Sequence, residues 1–368
     1  MTSDPAIKIL HVFPSFAVGG QQRRLATLAA AFGPGFSHKV LSLDGDQSAA
    51  ALFGSVRPAV EALIVEKSGF IRQRNIDRLR TAIAASGADI LCTYNFGSIE
   101  AVIANRTGPR LPHIHHEDGF GADEAGGRLK WTRSLARRIL LGEATIVVPS
   151  RTLEQIALRK WGLPAKRVRR IPVGIDIAGF HAHRKEKAGP IIVGSIGALR
   201  KEKNFARLIR CFEIASEGRD ARLVIYGDGP ERQKLIDLAS RSKASGMISL
   251  PGATSTVAES LRQFDIFAIS SDTEQMPTSL IEAMAGGLPA LATAVGDIPD
   301  MLGDEGRAFL VNPDDENEYA AKLRTLIDIE ELRRKLGAEN LERARQFDLA
   351  PMTQAFKELY LSAAERRR

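Results

Sequence analysis

Ser270-Ser-Asp-Thr-Glu-Gln-Met-Pro-Thr-Ser-Leu-Ile-Glu-Ala-Met-Ala-Gly-Gly-Leu-Pro289 is the stretch from which the fold can be read. The apolar run Ile266–Ile269 precedes it and Ala290–Thr293 follows it. Both read as short buried strands, and the segment from about Thr278 to Ala285 reads as a helix between them. Strand, helix, strand is the grammar of a parallel sheet. Glu274 falls in the loop and Glu282 one turn into the helix. Thr278, Ser279 and Leu280 are expected to present free backbone N–H groups there, a ready diphosphate site. A carboxylate one turn in can accept from a ribose diol, and a loop carboxylate from a sugar beyond the phosphates. The helix dipole alone favours acidic residues near that end. The flanking Gly286-Gly-Leu-Pro289 and Val295-Gly-Asp-Ile-Pro299 argue for more.

The same alternation extends outward. In the second half, Ile191–Ser195, Leu223–Tyr226 and Ile248–Leu250 read as strands, and Glu231–Ser242 and Glu316–Leu326 as helices. In the first half, Ile7–Phe13, Lys39–Leu43, Ile64–Val65, Ile90–Tyr94 and Thr145–Pro149 read as strands. Gln21–Phe32, Asn75–Ser86, Leu129–Leu141 and Arg151–Lys160 read as helices, the last capped by Ser150. Met352–Arg368 is a final helix. The pattern breaks at Ile171–Gly189, where His181 to Gly189 is polar. The expected class is α/β: two Rossmann-like doubly wound parallel-sheet domains facing across a cleft. The first spans 1–178, joined by the C-terminal helix at about 350–368; the second spans 188–348.

Two further segments carry chemistry. Val193-Gly-Ser-Ile-Gly-Ala-Leu-Arg-Lys-Glu-Lys-Asn204 ends a strand in a glycine turn and offers Arg200 and Lys203 just before a helix. Two cations beside small residues suit a pyrophosphate leaving group. Phe16-Ala-Val-Gly-Gly-Gln-Gln22 follows the first strand, and Gly19 and Gly20 let backbone pass close to a ligand. G-x-G-x-x-G is absent here, which removes the main support for a nicotinamide enzyme.

With these residues in place, the chain resembles the retaining glycosyltransferases of family 4, glycosyl transferases group 1, of the two-domain GT-B fold. The likeness covers nearly the whole chain. It is dense in Gly197-x-Leu-Arg-x-x-Lys-Asn, Val224-Ile-Tyr-Gly-Asp-Gly-Pro-Glu, the Glu274 to Glu282 segment and Leu310-Val-Asn-Pro-Asp-Asp. Val148-Pro-Ser and Ile171-Pro-Val-Gly-Ile-Asp add to it. The resemblance implies a nucleotide-sugar donor on the second domain and an acceptor on the first. It places Glu282 on the ribose, Glu274 on the donor sugar, and Arg200 and Lys203 on the diphosphate. Gly19 and Gly20 approach from the opposite side. Gly197, Gly227, Met276, Pro277, Thr278, Ser279 and Leu280 complete the donor contacts. It implies retention, with no metal or other cofactor.

Two departures stand out. Many members carry Arg directly after the glycine equivalent to Gly197, where this chain has Ala198; Arg200 is the natural substitute. Many also end a first-domain strand with His-Gly or His-Asp, where this chain reads His113-Ile-His-His-Glu-Asp-Gly119. His116 is the first candidate for that donor-sugar contact and Asp118 the second. A histidine can donate, whereas an ionised aspartate only accepts. Glu117 and Asp118 are also open as covalent nucleophiles. His113 and His115 read as packing residues.

Composition sets the outer limits. The 368 residues are 44% hydrophobic and 26% charged, which excludes general disorder. Two cysteines, Cys92 and Cys211, in apolar stretches exclude a disulfide scaffold. No apolar run is long enough to span a bilayer, and the N-terminus lacks signal-peptide character, so the expected compartment is the cytoplasm. Residues 1–187 carry 27 Lys and Arg against 16 Asp and Glu, a net +11; residues 188–368 carry 24 against 28, a net −4. A basic first half favours an anionic partner. Arg128, Lys130, Trp131, Arg133, Arg137 and Arg138 fall on one basic amphipathic stretch. Its Leu/Ile stripe faces either the core, with a solvated basic face, or an anionic membrane leaflet beside a lipid-linked acceptor. No nucleic-acid module is present. Asp44-Gly-Asp46 reads as a tight turn rather than a metal triplet, and His181 and His183 as linker polarity.

The function expected is an enzyme of hexosyltransferase type. It moves a sugar from a nucleotide-sugar, by preference a UDP-sugar, to a glycan or polyprenyl-lipid-linked acceptor in cell-surface polysaccharide synthesis. It is cytoplasmic and peripheral on the inner membrane face. The alternatives are a nucleotide-sugar epimerase of GT-B-like fold and a non-catalytic sugar-nucleotide-binding subunit.

Overall fold

The computed structural model describes residues 6–54, 56–66, 71–119, 131–180 and 189–367. The chain divides into two units, Met1–Val173 with Ala350–Arg368, and Gly174–Leu349.

The first unit is built on β1 (Ile7–Phe13), β2 (Phe36–Ser42), β3 (Ala59–Ala62), β4 (Ile90–Tyr94), β5 (His113–His116), β6 (Thr145–Val148) and β7 (Val168–Arg170). All pair in parallel, in the order β3-β2-β1-β4-β5-β6-β7. The second unit uses β8 (Ile191–Ile196), β9 (Ala221–Tyr226), β10 (Ile248–Gly252), β11 (Ile266–Ile269), β12 (Ala290–Thr293) and β13 (Leu310–Val311). These are also parallel, in the order β10-β9-β8-β11-β12-β13. β4, β6, β11 and β12 are buried along their whole length, because helices cover both faces. In each sheet the strand order reverses once, between β1 and β4 and between β8 and β11. The crevice outside the carboxyl ends at such a reversal is where open α/β sheets bind ligands.

The final helix, Leu349–Glu365, belongs to the first unit. Its Phe356 and Tyr360 are fully buried, and the Tyr360 ring centroid lies 5.9 Å from Phe32 and 6.3 Å from Phe36. Burial pushes the Cys92 thiol up and the Cys211 thiol up to about 12, so both act as small apolar side chains.

Several elements differ from the sequence reading. The third strand is Ala59–Ala62, not Ile64–Val65, although the Val65 N–H still bonds Leu43 O at 3.0 Å. β5, β7 and the helices Ile99–Arg106 and Glu330–Ala344 were not foreseen in the apolar pattern. The basic helix is described from Trp131 to Leu141; Arg128 and Lys130, like His181 and His183, lie outside the described residues. Its Trp131, Leu135 and Ile139 do not face the core, and Arg137 is the side chain buried in their place. Asp44 and Asp46 do form the tight turn: Asp44 Oδ1 accepts from the Asp46 N–H, Asp46 Oδ1 from the Ser48 N–H, and Gly45 sits at φ 85°. No helix among the described residues is long and apolar enough to cross a membrane.

Candidate functional site

In the second unit, the carboxyl ends of β8 and β11 bring Lys203 and Glu274 together. Lys203 Nζ lies 2.5 Å from Glu274 Oε1, and Ser271 Oγ donates to the same oxygen at 2.7 Å. The Glu274 side chain is 10% exposed, so this charge-assisted pair sits in a poorly screened place. A polar framework holds both loops. Asn204, left-handed at φ 43°, accepts from the Arg207 N–H to cap the helix Phe205–Ala215 and donates to Asp272. The buried Arg207 guanidinium bonds Ser270 O at 2.6 Å and Asp272 at 2.7 Å. Ser270 Oγ donates to Lys203 O, and Thr293 Oγ1 to Ser271 O.

Two glycines make the close approaches possible. A Cβ at Gly227 would lie 1.9 Å from Gly197 O, so the loops after β8 and β9 can touch only through glycine. Gly296, at φ 57°, passes under the Glu274 loop, and a Cβ there would meet Glu274 O at 2.1 Å. Beyond the loop, the helix Thr278–Ala285 starts at Pro277 with no side-chain cap. The Leu280 N–H is taken by Pro277 O at 3.1 Å and the Leu280 side chain is buried, which corrects the expectation that it donates to a ligand. Thr278 and Ser279 remain as the half-buried first-turn positions, with Glu282, also half-buried, one turn further on. Met276 is half-buried and Pro277 buried. Arg200 is exposed on the loop after β8.

In the first unit, the carboxyl ends of β1, β4 and β5 meet the N-terminus of the helix Gly20–Phe32. Gly19 caps it in extended conformation, and a side chain at Gly20 would meet open space. Asp118, just beyond β5, pairs with Arg24 at 2.8 Å. Burial works against the Arg24 charge, but the Asp118 carboxylate outweighs it and holds the guanidinium above its ordinary range. The Asp118 N–H donates to Asn95 Oδ1 at 3.0 Å, and Asn95 exchanges hydrogen bonds with Gln21. Asn95 stands at φ 52°, a conformation that an asparagine adopts at a cost held by its surroundings.

His116 is the correction here. It is 1% exposed, with its ring 4.6 Å from Tyr94 and 5.8 Å from Phe356, so it packs inside the unit and cannot reach a sugar. Both faces of β5 are covered, so His116 is enclosed, while Asp118 lies past the last paired residue with 18% of its side chain exposed. Glu117 is also excluded as a nucleophile: it is wholly buried, 3.1 Å from Arg137 Nε and 3.5 Å from His115 Nε2. Burial opposes its charge, but those partners hold its carboxyl below the usual range. His113 and His115 both bond Thr93 Oγ1 at 2.7 Å, as packing residues do. Sequence reasoning missed Arg24, Asn95, Ser271, Arg207 and Asp272 as supports. The polar residues directly after β4 and β11 were the available signal.

Comparison with known proteins places these two edges in a family. The model "Glycosyl transferase 4-like domain" matches residues 19–174 and "Glycosyl transferases group 1" matches residues 178–343. Sulfoquinovosyl transferase SQD2 of Arabidopsis thaliana is 27% identical over 232 residues, 59% of this chain and 44% of that protein. N-acetyl-alpha-D-glucosaminyl L-malate synthase of Bacillus anthracis is 31% identical over 151 residues, 41% of this chain and 39% of that protein. The chain thus spans less than half the length of these curated relatives. Anabaena HepE, solved with UDP, superposes with a TM-score of 0.81 at 18% identity, covering 97% of this chain and 100% of that one. Sucrose-phosphate synthase of Thermosynechococcus elongatus superposes at 0.78 with 19% identity, covering 96% and 98%. These likenesses give the fold as GT-B, and with the two matched models the chain belongs to the glycosyl transferases group 1 of the family 4 type.

Proposed function

We propose that the chain transfers a sugar, with retention, from a UDP-sugar to a glycan or lipid-linked acceptor in cell-surface polysaccharide synthesis, working at the cytoplasmic face of a membrane. The observation that carries this reading is the Lys203–Glu274 pair beside the open first turn of Thr278–Ala285. A cation, backbone N–H groups and two carboxylates then line one strand reversal, which suits a diphosphate with a sugar at each end. In this reading Glu282 accepts from the ribose hydroxyls. Thr278, Ser279, Arg200 and Lys203 neutralise the diphosphate, and Glu274 Oε2 accepts from the donor sugar. Asp118, oriented by Arg24 and Asn95, accepts from a sugar hydroxyl from the first unit.

The bond from the anomeric carbon to the β-phosphate oxygen breaks as the acceptor oxygen attacks the same face. The acceptor proton passes to that phosphate oxygen and leaves with the nucleotide. The cations and N–H groups supply the charge stabilisation of the leaving group, so the reading requires no metal.

The test is nucleotide release from UDP-, GDP- and ADP-sugars, with and without a polyprenyl-lipid extract and with EDTA present. The expected result is selective, acceptor-dependent release from the UDP-sugar, lost in Glu282→Ala and unaffected by EDTA. Sugar interconversion without nucleotide release would mean an epimerase instead. Donor binding without any turnover in the presence of acceptor would mean a binding subunit.

A further inference from the structure

The amino ends of β5, β6 and β7 open into two adjoining recesses of the first unit, about 360 and 580 Å³ in volume. Thr145, Arg167 and Arg366 line both, so the two form one trough. The final helix, Leu349–Glu365, walls the larger recess with Ala355, Leu359 and Ser362. That recess runs on along β7, the last strand of its sheet. Asp118 lies at the carboxyl ends of the same strands, so the trough is at the opposite end of the sheet. Spaces of this volume hold a small molecule.

The lining is strongly basic. Arg110, Arg167, Arg366 and Arg367 line the first recess, and Lys166, Arg169 and Arg170 join in the second, against Glu143 and Glu358 alone. Little of this charge is used within the protein. Arg170 has Glu154 at 3.6 Å and Arg367 has Asp89 at 3.1 Å, while Glu143 is taken by Arg106 at 3.4 Å. Lys166, Arg167 and Arg169 have no side-chain hydrogen bond or ion pair among the described residues, and Arg366 donates only to Ser362 O at 3.2 Å. Arg167 is half-buried. A half-buried guanidinium without an acid carries a desolvation cost that a bound anion removes.

Edge protection explains part of this set. Cations on an edge strand discourage pairing with another sheet, and that accounts for Arg169 and Arg170 in β7. It does not account for Arg110, Arg167 and Arg366, which come from three separate segments and meet in one hollow.

Shape and chemistry identify the ligand. Arginine forks match phosphoryl oxygens two at a time. Several cations in one place call for an anion of several charges. No Phe, Tyr or Trp lines either recess, so a nucleic-acid strand finds no ring to stack on. A bilayer is flat and meets what projects, whereas these groups line a hollow.

We propose that this trough binds a small soluble anion carrying two or more phosphoryl groups. The site is separate from that of the donor nucleotide, and the inference stands whether or not the chain transfers sugar.

Calorimetric titration of the full chain with inorganic tripolyphosphate, alone and with excess UDP, tests it. The expected result is saturable binding that UDP leaves in place and that added salt weakens. Orthophosphate binds at least about tenfold more weakly, because it spans fewer cations. Replacing Arg167 and Arg366 together by glutamine weakens tripolyphosphate binding by about tenfold or more, with unchanged circular dichroism. Lys166→Gln with Arg169→Gln, both exposed positions, acts in the same direction without touching half-buried Arg167. Tripolyphosphate raises the melting temperature of the wild type more than that of either double replacement. No saturable binding overturns the proposal, as does binding indifferent to both double replacements or displaced by UDP. Flotation with phosphatidylglycerol vesicles that needs Arg167 and Arg366, without tripolyphosphate binding, overturns it in favour of lipid headgroups.

Discussion

Replacing Lys203 by alanine is expected to lower the turnover of nucleotide-sugar by about 10²–10³-fold, with little change in fold. Two effects act together. In the proposed reaction the diphosphate loses a cation at the moment its charge grows, and Glu274 loses the partner that fixes its carboxylate. Glu274 Oε1 keeps only the Ser271 hydroxyl, and at 10% exposure water replaces the ammonium poorly. The surrounding framework of Asn204, Arg207, Asp272 and Ser270 does not use the Lys203 side chain, so the loop retains its path. Lys203→Arg keeps the charge but spreads it over a planar fork, and is expected to restore donor binding more than turnover. Steady-state kinetics with both variants checks this. Equal turnover in Lys203→Ala and wild type would remove the pair from the chemistry.

Acid is expected to unfold the first unit well above the range in which carboxylates protonate. Burial holds four histidines neutral. His11 and His116 lie well below their ordinary value, His38 is lowered to about 4 and His113 to about 3. His11 is doubly engaged, with Nδ1 2.8 Å from Tyr94 Oη and Nε2 3.0 Å from His38 Nδ1, so protonating both rings sets donor against donor. Neither His116 nitrogen has a hydrogen-bond partner among the described residues. Below pH about 6.5 the unfolded chain binds protons that the folded chain refuses, so stability rises with pH there and is level above it. Each group costs about 1.4 kcal/mol per pH unit, and four together up to about 5 kcal/mol. Total stabilities of about 5–15 kcal/mol leave little after one or two such units. Thermal melts at pH 8, 6.5 and 5 are expected to show a level first interval and a steep second one. A melting temperature unchanged from pH 6.5 to 5 would mean that these rings are not held neutral.

The part of this fold legible in the sequence is the part where composition and environment agree. β4, β11 and β12 are short apolar runs buried on both faces, and each lies where its run of apolar residues does. Ser150 caps the helix Arg151–Arg159 through the Leu153 N–H, as its residue type suggests. β5 was not legible in the apolar pattern, because three of its four residues are histidines, and only the family resemblance pointed to a strand end there. What makes it a strand is supplied from outside, by pairing with β4 and β6 and by the Thr93 hydroxyl between His113 and His115.

The choice between His116 and Asp118, two positions apart, turned on where β5 ends, which the apolar pattern does not give. The Arg24–Asp118 and Lys203–Glu274 pairs join residues 94 and 71 positions apart. No local pattern announces such pairs; they exist because the strand order reverses beside them. The apolar stripe of Trp131–Leu141 was ambiguous for a similar reason. Periodicity gives a face, and only the burial of Arg137 says which way that face points.

The central claim is that the edge formed by β8, β11 and the first turn of Thr278–Ala285 binds the nucleotide of the donor. Calorimetric titration of the full chain with UDP tests it most directly. The account predicts saturable binding, weakened about tenfold or more in Glu282→Ala through the lost ribose contact. It predicts a salt-sensitive loss in Arg200→Ala through the lost charge on the diphosphate. UDP binding of undiminished strength in both variants would contradict it and move the nucleotide to another part of the chain.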